Sequence, residues 1–421
     1  MDFNTRYAKL NDNQRQAVDY IHGSLLVIAG PGTGKTELLS MRTAQILKQT
    51  DTLPNSILCL TFTESGATNM RQRLRQIIGE DAYKIAIHTF HSFGTEIINQ
   101  HREYFFRGAD AQPVDELTQY QIISGILEGL DWRNPLSAKN NGEFVYIKDL
   151  IRIISEFKQS GLTPSELRAI IEDNQNTIAE IAPDIQQVFS AKISKKTIEL
   201  FAPIAEKIAN LAAKNPDEKN SKLPSSITPY ANVLALSIVH ATQEAIDENS
   251  TKPLTAWKNK WCEKNANGEF VLKDFTAAEK LSAAIDVYEK YVNILSERSL
   301  FDYDDMILSV IQACESHPEL RANLQEQFQF IMVDEFQDTN LAQLRLLFNL
   351  TSENDDNPNI MAVGDDDQAI FSFQGADVGN IQRFRQHYHD PKIIVLTDNY
   401  RSAENILSSA RDVITQGADR L

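Results

Sequence analysis

The residues with the clearest chemical meaning follow an apolar run at 25–28. They form a glycine-rich turn that ends in Lys35 and Thr36, where a helical pattern starts. Backbone N–H groups of such a turn wrap phosphate oxygens, the lysine reaches the β and γ phosphates, and the hydroxyl can hold Mg²⁺. The pattern predicts a nucleotide site. Its residues are Ala29, Gly30, Pro31, Gly32, Thr33, Gly34, Lys35 and Thr36.

A second candidate set follows the apolar run 330–333, where Asp334 and Glu335 stand side by side. In phosphoryl transfer to water, one carboxylate holds Mg²⁺ and its neighbour activates the attacking water. We assign Asp334 to the metal, together with Thr36, and Glu335 to the role of general base. Acidic pairs after strands are often solvated turn residues, but the phosphate-binding turn in the same chain favours the catalytic interpretation.

A third apolar run, 360–364, ends in Asp365-Asp366-Asp367-Gln368. We interpret Asp366 and Asp367 as a solvated loop after a strand. Gln368 is different, because a neutral amide can contact the γ-phosphate without repelling it.

The composition is that of an ordinary soluble protein. The chain has 421 residues, of which 42% are hydrophobic and 24% charged, and this length predicts two or three domains. The sequence has no run of 18 apolar residues and no apolar leader, so we expect a cytoplasmic protein without a membrane partner. Its three cysteines lack metal-ligand spacing and are expected to be reduced.

The net formal charge of the chain is −17, which argues against non-specific adhesion to nucleic acid. The acidic excess is concentrated after residue 300, whereas 190–300 is nearly neutral. Any DNA contact must therefore be a local groove, because attraction by the whole molecule will not assist it.

Short apolar runs followed by helical patterns predict an α/β fold, with a parallel sheet covered by helices and ligands at the carboxyl ends of the strands. The runs fall into two groups separated by a long stretch of mostly helical pattern. We therefore expect one α/β domain interrupted by a large inserted all-α domain. The predicted strands are 25–30, 57–61, 85–88, 329–334, 360–364 and 393–396.

The inserted region contains a faint internal repeat. Asn-Gly-Glu-Phe-Val occurs at 141–145 and again at 267–271, each time after a tryptophan, Trp132 or Trp257. Asn-Gly is a strong turn signal, so both copies are expected to form a turn followed by a helix. Coincidence or similar local capping is favoured over a duplicated DNA-facing element.

Eight sequence blocks in a fixed order resemble the UvrD/Rep family of superfamily-one helicases. The resemblance covers 3–100 and 299–415 and is much weaker in the insertion. It implies a RecA-like P-loop motor that binds ATP and Mg²⁺ and couples hydrolysis to 3′-to-5′ stepping on single-stranded or partial duplex DNA, in repair or recombination. The blocks are 10–18, 29–36, 61–63, 88–92, 301–306, 334–340, 363–377 and 399–402.

The resemblance also implies domain boundaries. The first motor domain would comprise 1–105 and 299–398, with the inserted helical domain at 106–298. Residues 399–421 would begin a second motor domain that is truncated. Because ATP lies between two motors in this family, we expect a second motor domain to be missing in cis and little turnover from this chain alone.

The resemblance assigns further residues to the nucleotide. Gln14 is similar to a glutamine that reads the adenine edge, and Tyr400 to a tyrosine that packs on adenine. Arg401 resembles an arginine that reaches the γ-phosphate and stabilises charge in the transition state. Gln337 and Gln368 resemble residues that couple the γ-phosphate to DNA binding.

For DNA, the resemblance implies a strand path with stacking platforms. Phe62 resembles a residue that meets a base, and Phe371 and Phe373 resemble a pair of aromatics on which bases stack. Without the resemblance, core packing would be the favoured interpretation of Phe62 and Phe371. Residues similar to those lining the strand path are Thr63, Thr89 and His91.

Some residues depart from the family pattern. Phe373 stands where tryptophan is common, and Gln374 stands where arginine is common. Glu64-Ser65 replace an Asn-Lys pair, and Glu37 replaces an arginine near the adenine. These changes reduce stacking or positive charge, so we expect looser binding of single-stranded DNA and of nucleotide.

Two other functions stay open from the sequence. One is a nucleotide-gated DNA-binding module that never unwinds DNA, which the departures at Glu37 and Gln374 favour. The other is the helicase part of a RecB/AddA-like helicase–nuclease, because those relatives also carry large insertions. The acidic block 301–305 is interpreted as structural in preference to a nuclease metal site, and the sequence indicates no particular protein partner.

Overall fold

The computed structural model describes residues 3–105, 111–189, 193–194, 198, 201, 203, 206–207, 230–264, 268–273, 278–351, 357–365, 379–389 and 391–414. The chain divides into two compact units. The first comprises Met1–Asp115, Ser155–Gly161 and Leu295–Leu421, and the second comprises Glu116–Ile154 and Leu162–Ile294. The first unit therefore takes in Ser155–Gly161, which the sequence-based division assigns to the insertion.

The strands are short, and six of them (β1, β2, β3, β10, β11 and β12) match the apolar runs of the sequence. In chain order they are β1 (Leu25–Ala29), β2 (Ile57–Thr61), β3 (Ala86–Thr89), β4 (Gln112–Pro113), β5 (Lys139–Asn140), β6 (Glu143–Phe144), β7 (Cys262–Lys264), β8 (Phe270–Leu272), β9 (Leu300–Phe301), β10 (Phe330–Val333), β11 (Ile360–Gly364) and β12 (Lys392–Leu396).

The α-helices of the described residues carry most of the remaining chain. In chain order they are α1 (Phe3–Tyr7), α2 (Asp12–Asp19), α3 (Lys35–Gln49), α4 (Glu64–Ile78), α5 (Phe90–Gln100), α6 (Glu116–Glu128), α7 (Ile147–Gln159), α8 (Pro164–Phe189), α9 (Tyr230–Asp247), α10 (Lys252–Trp261), α11 (Ala278–Glu297), α12 (Tyr303–Ser316), α13 (Pro318–Gln327), α14 (Leu341–Leu350), α15 (Asn380–His387) and α16 (Glu404–Ile414).

The first unit is built on one parallel sheet, which in the described part of the chain has six strands in the spatial order β12-β1-β11-β10-β2-β3. Residue Leu25 of β1 pairs with Met361 of β11 on one side and with Lys392 of β12 on the other. This sheet confirms the predicted α/β fold with a RecA-like arrangement.

Both faces of the sheet are buried, which explains why its strands read as nearly continuous apolar runs. Successive residues of β1 alternate between two cores: Leu26 belongs to one hydrophobic cluster, and Leu25 and Val27 belong to the other. Residues of α5, α12, α14 and α15 join the first cluster, and residues of α2, α3 and α4 join the second. Helices therefore cover the sheet on both sides.

The second unit is mainly helical, as predicted, with a hydrophobic core that includes Leu234, Leu254 and Trp257. It also contains two short antiparallel hairpins, β5–β6 and β7–β8, that the prediction of an all-α insertion did not include. Each strand has only two or three residues, too few for alternation to be read from the sequence.

The two hairpins coincide with the sequence repeat. In both, a lysine pairs across the strands with the repeated phenylalanine, Lys139 with Phe144 and Lys264 with Phe270. The preceding tryptophans are not equivalent, because Trp132 is 78% exposed whereas the side chain at 257 is buried. The two copies thus share a hairpin in which a lysine pairs with a phenylalanine across the strands.

Candidate active site

The phosphate-binding turn lies where β1 ends and α3 begins, at the carboxyl edge of the sheet. Gly32 and Gly34 have φ angles of 75° and 89°, a left-handed conformation that residues with a Cβ rarely adopt. Gly34 is the N-cap of α3, so no side chain of that residue covers the first N–H groups of the helix. The hydroxyl of Thr33 donates to Gly30 O at 2.8 Å and closes the turn. This shape suits a phosphate group.

Lys35 and Glu335 come together although 300 residues separate them in the chain. The Lys35 Nζ atom lies 2.5 Å from Glu335 Oε2, and their side chains are 10% and 38% exposed. Glu335 has a φ of 49°, an uncommon conformation for a residue other than glycine and one often found at functional sites. The predicted phosphate-binding lysine and general base therefore share one site.

Asp334 is buried next to this pair. Burial raises its pKa to about 6, the charge of Glu335 adds to the shift, and Lys35 opposes it. The Glu335 backbone N–H donates to Asp334 Oδ1 at 3.0 Å. Burial and the charge of Glu335 likewise raise the pKa of Asp338 to about 6. The carboxylates thus lie in surroundings that favour an added cation.

The oxygen donors present fit Mg²⁺, a hard cation that takes carboxylate and hydroxyl ligands together with water and phosphate oxygens. Asp334 stands at the end of β10, and Thr36 lies in the first turn of α3 beside the phosphate-binding turn. Within the described residues, no three His, Cys, Asp or Glu side chains converge as a metal site.

Gln337 links the ends of two neighbouring strands. Its Nε2 donates to Glu335 Oε2 at 2.9 Å, and its Oε1 accepts from the Asp365 backbone N–H at 3.0 Å. A Cβ at Gly364 would lie only 2.7 Å from that Oε1 atom, so the close approach requires glycine. The end of β11 is in this way tied to Glu335 through one amide.

The segment after β12 lies against the phosphate-binding turn. The Tyr400 backbone N–H donates to Gly32 O at 2.9 Å, and the Asn399 amide donates to Pro31 O. A Cβ at Gly32 would lie 2.7 Å from Arg401 Cβ. The structure therefore brings Tyr400 and Arg401 to the phosphate-binding turn.

Gln14 contacts the same turn and is 6% exposed. Its Nε2 donates to Thr33 O at 2.9 Å, and its Oε1 accepts from the Asn11 backbone N–H at 3.0 Å. One N–H and one lone pair of the amide remain for a ligand. Asn11 is a residue that sequence reasoning missed, although Asn-x-x-Gln before a helix is a capping signal.

Glu37, which stands where the family commonly has an arginine, forms ion pairs within the fold. Arg6 donates to both carboxylate oxygens of Glu37, at 2.8 and 3.0 Å, and Arg73 donates to Oε2 at 3.0 Å. The guanidinium groups of Arg6 and Arg73 therefore bring positive charge to the position where the family commonly has an arginine.

The predicted DNA-contact residues of the described chain lie where β2 and β3 end. Thr63 is the N-cap of α4 and Thr89 is the N-cap of α5, so both hydroxyls accept backbone N–H groups. Thr89 also donates to Glu64 Oε1 at 2.9 Å. Phe62 precedes α4 and is partly buried. Glu64 thus brings a negative charge to the proposed strand path.

His91 lies in the first turn of α5. Burial lowers its pKa, and the charge of Asp304 opposes the shift. Its ring lies 5.4 Å from the ring of Tyr303, which is 68% exposed.

Three predicted site residues, Gln368, Phe371 and Phe373, lie outside the described residues. Asp365, just before them, has its backbone N–H held by Gln337.

The acidic block at 301–305 has structural partners. Lys158, at the end of α7, has a fully buried side chain with its Nζ 2.6 Å from both Asp302 and Asp305. Burial alone would lower the pKa of Lys158, but the two carboxylates outweigh it and raise that pKa. Asp304 accepts from the Ser155 hydroxyl at 2.6 Å. These contacts agree with the structural interpretation of the block.

The parallel sheet with a glycine-rich turn before α3 defines a P-loop protein of RecA-like fold. The family model of the UvrD/REP helicase N-terminal domain matches residues 10–220 and 179–389. The chain therefore belongs to the UvrD/REP helicase family.

Curated relatives show the same relationship. The chain is 28% identical over 417 residues to the ATP-dependent DNA helicase PcrA of Staphylococcus epidermidis strain ATCC 35984, covering 99% of this chain and 41% of that protein. It is 27% identical over 411 residues to PcrA of Staphylococcus aureus strain Mu50, covering 98% and 40%. The chain thus spans about two fifths of the length of these relatives. Among the described residues, every helix is too short or too polar to cross a membrane.

Proposed function

We propose that this chain is the first motor part of a cytoplasmic, ATP-dependent DNA helicase that steps 3′ to 5′ along single-stranded DNA in repair or recombination. The observation that carries the proposal is the contact of Lys35 with Glu335 beside buried Asp334, at the mouth of the phosphate-binding turn. The two PcrA relatives bear the name ATP-dependent DNA helicase, which supports the assignment.

The contact of Lys35 with Glu335 suggests how ATP prepares the site. The ammonium group of Lys35 contacts the carboxylate of Glu335, and it can move to the β and γ phosphate oxygens when a nucleotide binds. Glu335 is then free to accept a proton from the attacking water. Gln337 donates to the Oε2 atom of Glu335 and thereby fixes the orientation of the Glu335 carboxylate. Mg²⁺, held by Thr36 and Asp334, would neutralise charge on the phosphates.

Efficient turnover needs positive charge on the γ-phosphate from more than one side. Arg401 is exposed beside Gly32 and is proposed to supply one such charge. We assign a further charge to a second motor domain, in the same or another chain. This chain alone is therefore proposed to hydrolyse ATP slowly.

The DNA track is assigned to the carboxyl edge of β2 and β3. Two helix N-termini, those of α4 and α5, meet this edge, and such ends favour phosphate groups. Phe62, Thr63, Thr89 and His91 are proposed to line the track. Phe371 and Phe373 are proposed to stack on bases, as the family resemblance implies.

A strand-displacement assay with the helicase that contains this chain tests the proposal. We expect ATP-dependent displacement from a duplex with a 3′ single-stranded tail and none from a duplex with a 5′ tail. Lys35→Ala should abolish it, because the phosphates lose their cation. Displacement that persists in Lys35→Ala, or that prefers a 5′ tail, would contradict the assignment.

A nucleotide-gated DNA-binding module is the second candidate, which Glu64 at the DNA edge favours. In that case ATP would change the affinity for single-stranded DNA without any displacement. Anisotropy of a labelled oligonucleotide, measured beside the displacement assay, separates the two functions.

A further inference from the structure

Asn11 has two separate sets of hydrogen bonds. It is the N-cap of α2, where its Oδ1 accepts from the Gln14 backbone N–H at 2.8 Å, while Gln14 Oε1 accepts from the Asn11 backbone N–H at 3.0 Å. This capping box uses the oxygen of the Asn11 side chain. The amide nitrogen is left for other partners.

The amide nitrogen of Asn11 binds two residues almost 400 positions away in the chain. It donates to Asp398 Oδ2 at 2.8 Å and to the Tyr400 hydroxyl at 3.0 Å. The Tyr400 hydroxyl in turn lies 3.5 Å from Asp398 Oδ2 and donates to it. The three polar groups form a closed triangle.

Through Asn11, the triangle links Gln14 to Tyr400, two residues that contact the phosphate-binding turn from different elements. Gln14 is anchored to Thr33 O through its Nε2 atom, which fixes the orientation of its amide. Tyr400 is anchored to Gly32 through its backbone N–H, and its side chain is 63% exposed. The Gln14 amide can read a purine edge, and the exposed Tyr400 ring can pack on the base.

We infer that Asn11 is a positioning residue for the nucleotide base, with Asp398 as its partner. It holds the base-reading amide of Gln14 and the ring of Tyr400 at a fixed separation. The inference rests on the proposed function, because it needs Gln14 and Tyr400 to contact the base of ATP. On this inference, Asn11 does not contact the nucleotide itself. It acts through Gln14 and Tyr400, which do.

Two substitutions isolate the triangle from the helix cap. Asn11→Ser keeps an N-cap oxygen, since serine caps as well as asparagine, but removes the amide donor. Tyr400→Phe keeps the ring and removes the hydroxyl. Asn13→Ser is the matched control, because Asn13 is exposed on the same helix and its amide donates to Val395 O, outside the triangle.

The experiment measures displacement of ribose-labelled fluorescent ATP from the full chain by ATP, by GTP and by inorganic tripolyphosphate. We expect Asn11→Ser and Tyr400→Phe each to weaken the binding of ATP about three- to tenfold, which is the effect of one lost hydrogen bond. The affinity for tripolyphosphate should not change. The double variant should be no weaker than either single variant, because both break one triangle. Asn13→Ser should bind as the unsubstituted chain does.

An equal loss of affinity for ATP and for tripolyphosphate would overturn the inference while leaving the proposed function intact. So would losses of ATP affinity that multiply in the double variant. Binding of ATP that Lys35→Ala does not weaken would instead overturn the proposed function, and the inference with it. In the helicase containing this chain, the ATPase of Asn11→Ser should show a raised KM with kcat unchanged.

Discussion

Asp334 carries the clearest pH dependence at the scale of single residues. Its carboxyl is held at a pKa of about 6 by burial and by Glu335, above the ordinary value near 4. The charged form therefore destabilises the fold, and stability that is present at low pH is lost as the pH rises through about 6. Cation binding would relieve this cost.

We predict that Asp334→Asn stabilises the chain by about 2 kcal/mol at pH 8, because the charge is removed. The gain should shrink as the pH falls from 6 toward 4, where Asp334 is protonated. Thermal denaturation across this pH range checks it, with the exposed Asp51→Asn as control. A variant less stable than the unsubstituted chain at pH 8 would contradict the prediction.

Glu64 sets the charge of the proposed DNA edge. We predict that Glu64→Lys tightens binding of a single-stranded oligonucleotide about fivefold or more at low salt, and that Glu64→Gln has a smaller effect in the same direction. The slope of log K against log salt should become steeper by about 0.7 for Glu64→Lys. Anisotropy titrations measure both quantities.

The control for Glu64 is Glu80→Lys, an exposed glutamate whose side chain is 82% accessible. Its effect should be small, because Glu80 lies in a 3₁₀ turn after α4 and not at its N-terminus. Equal tightening by both variants would mean that only the net charge of −17 is being changed.

Local motifs made parts of the candidate site predictable. Lys35 and the Asp334-Glu335 pair follow apolar strands in a fixed pattern, so their roles could be assigned before their contact was seen. The hydrogen bond between Asn11 and Tyr400 could not be predicted from the sequence, because it joins residues that are 389 positions apart. The pairing of Lys158 with Asp302 was not predictable either, because the two residues are 144 positions apart.

At the scale of elements, the end of α7 is fixed to the start of α12. Lys158 pairs with two partly buried carboxylates, and Arg345 of α14 donates to Gly161 O at 2.6 Å. These bonds lie within the unit that contains the sheet and includes Ser155–Gly161.

We predict that Lys158→Met destabilises the chain by about 3 kcal/mol, because the partly buried carboxylates of Asp302 and Asp305 lose the cation that pairs with both of them. Urea unfolding measures the loss. Adding Asp302→Asn and Asp305→Asn should recover much of it, and the exposed Lys148→Met on the same helix should be nearly neutral. A loss as small as that of Lys148→Met would show that the ion pairs add no stability.

The end of β11 offers a test of the link to Glu335. We predict that Gly364→Ala lowers kcat of the helicase containing this chain at least tenfold, because the new Cβ displaces Gln337 and its bond to Glu335. Steady-state ATPase assays check it, with Gly125→Ala as control, since a Cβ there meets nothing within 4 Å. An unchanged kcat would show that Gln337 does not position Glu335.

The six apolar runs were predictable as strands because both faces of the sheet are buried. The hairpins at β5–β6 and β7–β8 were not, since their strands are too short for a periodic signal. The sequence marked these places by the Asn-Gly pairs at 141–142 and 267–268.

At the scale of the whole molecule, a net charge of −17 means that any DNA contact must be a local one. The sheet places its candidate nucleotide site and its candidate DNA edge on the same side, at the carboxyl ends of neighbouring strands. Such an arrangement suits a motor in which DNA occupancy and hydrolysis are coupled, and the family resemblance supports that interpretation.

The most direct test of this account is the ATPase rate of the helicase containing this chain, with and without single-stranded DNA. The account predicts that DNA raises the rate and that Lys35→Ala and Glu335→Gln each lower the stimulated rate by about 100-fold or more. Both variants should keep their fold, as judged by their melting temperatures. Undiminished, DNA-stimulated turnover in either variant would contradict the assignment of Lys35 and Glu335 to one catalytic site.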